Sequence, residues 1–87
     1  MRIVWDEPKR LANLKKHMLD FADLDDAYFE NAVVRPARIP RWFAFGWFEG
    51  SMIAVVFARL GSEALSVISM RPAKPAERRL YEQAKRI

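Results

Sequence analysis

The chain has no cysteine, one histidine and three glycines in 87 residues, and each shortage removes a class of chemistry. Without cysteine there is neither a disulfide framework nor a thiolate metal site, and with no secretory leader in view the expected address is cytoplasmic. A single histidine, His17, excludes any mechanism built on a pair of histidines. It also leaves carboxylates as the main candidate metal ligands, so neither a metal site nor any other cofactor is expected. Gly46, Gly50 and Gly61 are too sparse for a glycine-rich phosphate loop, and no Gly-x-Ser-x-Gly elbow occurs. No apolar run approaches the roughly 20 residues that span a bilayer, so no membrane partner is expected.

What is present is a small, aromatic and basic chain. Its length fits a single domain, 1–87, near the low end of what buries an independent core, so a partner or a second copy is expected to help. Eleven aromatic residues rule out disorder. Net charge is +4, and the segment from Arg71 onward, with six Lys/Arg against two Glu, has the same balance by itself. The C-terminal region therefore sets the electrostatics.

The order of elements predicts an α+β fold. Arg2 to Trp5 reads as a short strand, and Asp6 with Pro8 opens a helix that runs to about Met18. At about 100° per residue, Leu11, Leu14 and Met18 share the face expected to be core, while Lys9, Asn13, Lys16 and His17 share the basic one. Asp20 is placed to cap a second helix through Phe21, Leu24, Ala27 and Tyr28, with Asp23, Asp25, Asp26 and Glu30 on its exposed side. The period then changes. Ala32–Val34, Arg41–Phe48, Ser51–Leu60 and Glu63–Met70 are β-type runs, separated by Pro36, Pro40, Glu49-Gly50 and Gly61-Ser62, and predict an antiparallel meander of about four strands. Pro75 starts a last helix whose apolar stripe is Ala76, Leu80, Ala84 and Ile87, bordered by Glu77 and Tyr81.

The residue types allow one reaction without a metal. RNA carries its own nucleophile in the 2′-hydroxyl, and cleavage then needs a proton acceptor, a proton donor and cations on the phosphate oxygens. His17 and Glu77 are candidate bases or acids, Tyr81 or Lys9 candidate donors, and Arg59, Arg71 and Arg78 candidate phosphate holders. Each has a structural alternative: His17 as a helix C-cap, Glu77 as a first-turn carboxylate, Tyr81 as a core border. The run Trp42 to Phe48 invites base stacking, but alternation buries one side, and the core reading prevails there.

Two motifs at opposite ends carry a family likeness. Trp5-Asp6-x-x-Lys9-x-x-x-Asn13-x-x-Lys16-His17, with Phe21 and Ala27-Tyr28-Phe29, together with Ile68-Ser69-Met70-Arg71 and Glu77-Arg78-x-x-Tyr81, resembles the BrnT family of type II toxins. The resemblance implies a compact RelE-like ribonuclease that cuts RNA and arrests translation. It implies a BrnA-type antitoxin as partner, with DNA reached only through that antitoxin, and leaves open a toxin dimer within a heterotetramer. By matching position, the implied catalytic residues are His17, Arg71, Glu77 and Tyr81, and the implied RNA-binding residues are Lys9, Asn13, Lys16 and Arg78, joined by Arg59. Three departures stand out. Pro72 replaces a second arginine, Lys74 stands where a small hydroxyl residue would cap the last helix, and the loop Arg35–Pro40 is basic where relatives are acidic. The alternative to an active enzyme is a weak or inactive homologue that acts as a binding module in an antitoxin complex and in operon repression.

Overall fold

A computed structural model describes residues 1–86. Five strands form one mixed sheet in the order β1-β5-β4-β3-β2: β1 (Arg2–Trp5), β2 (Val33–Pro36), β3 (Arg41–Phe48), β4 (Ser51–Leu60) and β5 (Ala64–Pro72). The last four make the expected antiparallel meander. The expected N-terminal strand, β1, joins them as a fifth, parallel to β5, with Trp5 opposite Val67. That pairing joins the two ends of the chain, which local sequence cannot register.

β1 is short, and this decides how the first helix sits. It covers β5 only from Ala64 to Val67, so the outer edge of β5 beyond that point needs other partners. Asn13, on α1 (Glu7–His17), provides one: its Oδ1 accepts the Met70 N–H at 3.0 Å, and its Nδ2 donates to the Leu19 carbonyl at 3.0 Å. A second polar anchor is Arg10, which forks onto Glu7 and donates Nη1 to both Asp20 oxygens at 3.0 Å. Arg10, Asn13, Leu14 and His17 therefore make the inward stripe of α1. The expected core face is corrected accordingly: Leu11 is 52% and Met18 81% exposed. Two polar anchors outweigh an apolar stripe of three because an unpaired buried amide costs more than an exposed leucine. Met18 closes the helix in the left-handed region, at φ 59°.

The expected second helix is also corrected. Asp20 caps only a 3-10 turn, Phe21–Asp23, and the backbone then extends at Leu24 before Asp25 starts α2 (Asp26–Asn31) by accepting the Tyr28 N–H at 2.9 Å. Two competing caps five residues apart break one helix into two turns. These segments cover one sheet face, where Phe21, Leu24, Tyr28, Ala44, Ile53, Val55, Phe57, Leu65, Val67 and Met70 form the core. Tyr28 is its polar member. Its hydroxyl donates to the Ala44 carbonyl at 2.7 Å, and its ring lies so near β3 that a Cβ on Gly46 would sit 3.3 Å from Cε1.

The other face carries a second row, since cross-strand register places Val33, Phe45, Ala54 and Arg71 side by side. Val33, Phe45 and Ala54 are buried there, with Met52. The last helix, α3 (Pro75–Lys85), packs against β3 but buries no residue fully. Ala76 and Ala84 are exposed and Leu80 is half-buried, so the anticipated apolar stripe is largely open; Ile87 lies outside the described residues.

Candidate active site

Arg71 is the centre of the site, and the turn into α3 explains its posture. β5 ends at Pro72, Lys74 takes the N-cap position without a side-chain cap bond, and Pro75 begins the helix. Glu77, in the third position, reaches back and accepts the Lys74 N–H at 2.8 Å, so it supplies one half of a capping box that Lys74 cannot complete. The same carboxylate takes two bonds from Arg71, Nη1 to Oε1 and Nη2 to Oε2, each 2.8 Å. Arg71 Nη1 also donates to the Pro72 carbonyl at 3.3 Å. Below it, the guanidinium carbon is 5.9 Å from the centre of the Phe43 ring, which stacks on Phe45.

Counting donors shows what this leaves. A guanidinium has five N–H groups. Three are engaged with Glu77 and Pro72; the Nε–H and the outer Nη2 hydrogen have no protein acceptor among the described residues. These two lie along one edge and form the fork that matches a phosphate. Arg71 is held by one edge and offered by another. The pairing also fixes charge states. Arg71 holds the Glu77 carboxyl below its ordinary range, reinforced by the Lys74 N–H and opposed by burial, and Glu77 in turn raises the basicity of Arg71.

Arg78 and Tyr81 extend the site along α3. The Arg78 guanidinium lies 5.6 Å over the Trp47 ring, and Trp47 is 52% exposed. Tyr81, half-buried, lines a cleft of about 570 Å³ with Trp47, Phe48, Tyr28 and Asn31. On α1, Lys9 and Lys16 are exposed and seven residues apart, hence on one side of the helix. His17 is half-buried at the end of that helix. The Asn13–Met70 bond joins helix and strand one turn before His17 and one residue before Arg71, which sets the two on neighbouring elements.

Two expected members stand apart. Asn13 is 9% exposed with both ends of its amide engaged, so it positions α1 and keeps at most its second Nδ2 hydrogen unused. Arg59 lies over the Trp42 ring at 5.9 Å, beside a cleft of about 410 Å³ that includes Phe29, Val34 and Phe57. It is five positions along β4 from Ala54, the register partner of Arg71, which is about 17 Å of strand, and it points to the opposite face. The sequence reading assigns the run Trp42 to Phe48 to the core, and so leaves Trp47 and Phe43 out of the site, although strict alternation places Phe43, Phe45 and Trp47 together on the Arg71 side.

Comparisons with known proteins bear on the family and the fold. A family profile described as the ribonuclease toxin, BrnT, of type II toxin-antitoxin systems matches residues 5–77. It spans Lys9, His17, Arg71 and Glu77, and ends before Arg78 and Tyr81. The fold superimposes with a TM-score of 0.81 on the crystal structure of the Brucella abortus ribonuclease toxin BrnT, at 56% sequence identity over 85% of this chain and 97% of that one. Comparison with curated proteins gives no match.

Proposed function

This chain belongs to the BrnT family of ribonuclease toxins of type II toxin-antitoxin systems, and from that premise we propose that it cuts RNA without a metal, by the 2′-hydroxyl route, at the Arg71 fork. The observation that carries the reading is the open edge of Arg71, rigidly aimed because Glu77 holds the other edge. The open edge receives the non-bridging oxygens and stabilises the charge that builds on the phosphate as the 2′-oxygen attacks.

Roles follow from what each group has free. Glu77 is a poor base, since both its oxygens accept bonds and its carboxyl is held low, so it acts as a positioning residue. That leaves His17 to take the 2′-hydroxyl proton. Tyr81 orients the leaving group or protonates its 5′-oxygen. Lys9, Lys16 and Arg78 attract the backbone around the scissile phosphate. Balance is complete within RNA: the O–P bond to the 2′-oxygen forms, the bond to the 5′-oxygen breaks, and one proton moves from the first oxygen to a base while another reaches the second.

The same reading makes the chain a single toxin domain in the cytoplasm, where translated RNA is found. Among the described residues no helix is long and apolar enough to cross a membrane. Its natural restraint is an antitoxin of the BrnA type, with a toxin dimer in a heterotetramer as the assembly to look for. The decisive test incubates purified, antitoxin-free protein with defined RNA in EDTA beside Arg71→Ala. Cutting by the wild type alone is expected; cutting by both removes Arg71 from the chemistry, and cutting by neither overturns action on free RNA.

A further inference from the structure

We infer that Trp47 is a base-stacking platform of the site, gripping the base of a nucleotide next to the scissile phosphate. The inference rests on the RNA reading above and deepens it. Three independent facts meet at this residue. Trp47 is the exposed end of an alternating aromatic row, Phe43, Phe45 and Trp47, on the sheet face that carries Arg71. Its side chain is 52% exposed, whereas Phe45 in the same row is buried at 3%. Arg78, from the helix that Glu77 ties to Arg71, lies 5.6 Å over the indole.

Geometry sets the reach. Trp47 stands two residues along and two strands across from Arg71, about 12 Å between backbones by strand spacing. A single strand whose phosphate sits in the Arg71 fork therefore brings a base roughly one or two nucleotides away over the indole, with Arg78 near the intervening backbone. An aromatic face accepts any base, so this contact anchors the strand while the sequence preference lies elsewhere. Trp5 and Trp42 offer no such platform. Both are half-buried against the core on the helical side of the sheet.

The test uses the full chain, Trp47→Ala and Trp47→Phe, each checked by circular dichroism and melting. Affinity is read by anisotropy of a labelled single-stranded RNA made uncuttable by 2′-O-methylation. Trp47→Ala is expected to bind about tenfold more weakly, and Trp47→Phe to recover most of the loss. On cleavable RNA the Ala variant is expected to raise KM about tenfold and leave kcat within about threefold. A single abasic position beside the cut site should reproduce the loss in the wild type without altering the protein. Unchanged affinity in Trp47→Ala, or an abasic penalty that adds to the mutation in full, overturns the inference. Unchanged RNA affinity with lost antitoxin binding assigns the indole to a protein interface and overturns it too. A wild type that binds methylated RNA through Trp47 yet cuts nothing refutes the catalytic reading alone; one that cuts equally well without Trp47 refutes only the stacking.

Discussion

Glu77 grips both terminal nitrogens of Arg71 at 2.8 Å while also closing the first turn of α3 through the Lys74 N–H. One carboxylate thus sets both the direction of the phosphate fork and the start of the helix that carries Arg78 and Tyr81. Arg71 is 23% and Glu77 15% exposed, so solvent screens this pair less than an ordinary surface bridge.

Replacing Glu77 by Gln should keep the fold, loosen Arg71 and lower kcat by about 10- to 100-fold, the scale of a small misplacement of a catalytic group. Removing the proposed base itself, His17→Gln, should lower kcat further than Glu77→Gln does. A loss in Glu77→Gln at least as deep as that in His17→Gln would make Glu77 the base after all.

The lowered Glu77 carboxyl also predicts a pH dependence of stability. A folded-state value depressed below the ordinary 4.5 contributes stability that is fully present above about pH 4.5 and lost as pH falls through the folded value. The stability difference between wild type and Glu77→Gln, measured in urea, should be constant near neutrality and shrink at more acidic pH. A difference that grew on acidification would contradict the ion pair.

Tyr28→Phe removes the buried donor to the Ala44 carbonyl without changing ring volume. Losing that bond should cost about 0.5–1.5 kcal/mol, or a fall in melting temperature of roughly 2–12 °C for a domain of this size. RNA cleavage at a temperature where the variant is folded should match the wild type.

Asn13 and Lys16 should separate cleanly by salt. If Lys16 neutralises one phosphate, Lys16→Ala should reduce the log–log slope of single-strand affinity against salt by about 0.7. Asn13→Ala should leave the slope untouched while destabilising the fold, because it orphans the Met70 N–H and the Leu19 carbonyl. An altered slope in Asn13→Ala would return that residue to the RNA surface.

Much of the site was legible because short-range signals made it so. Arg71 follows directly on a β-type run, Glu77 sits in the first turn behind Pro75, and their separation of six residues is spanned by one turn into a helix. The mutual grip itself was not legible, because capping by Lys74 fails and Glu77 takes over both tasks only once the turn is built. Arg59 was grouped with Arg71 on charge, but strand parity sends its side chain to the other face.

By itself the sequence determined the local events: the Asp6 cap with Pro8, the four β-runs of the meander, the helix after Pro75, and the motifs that mark the family. All depend on residues within a turn or two of one another, where backbone preference and side-chain reach decide the outcome. Only the tertiary structure decided that β1 pairs with β5, that Asn13 turns inward to Met70, 57 residues away, and that Trp47 ends its aromatic row in the open. Those depend on which strand edge is left without partners and how far the covering helix reaches along a sheet face. Both are properties of the assembled sheet, fixed when distant hydrogen-bonding groups must be satisfied together.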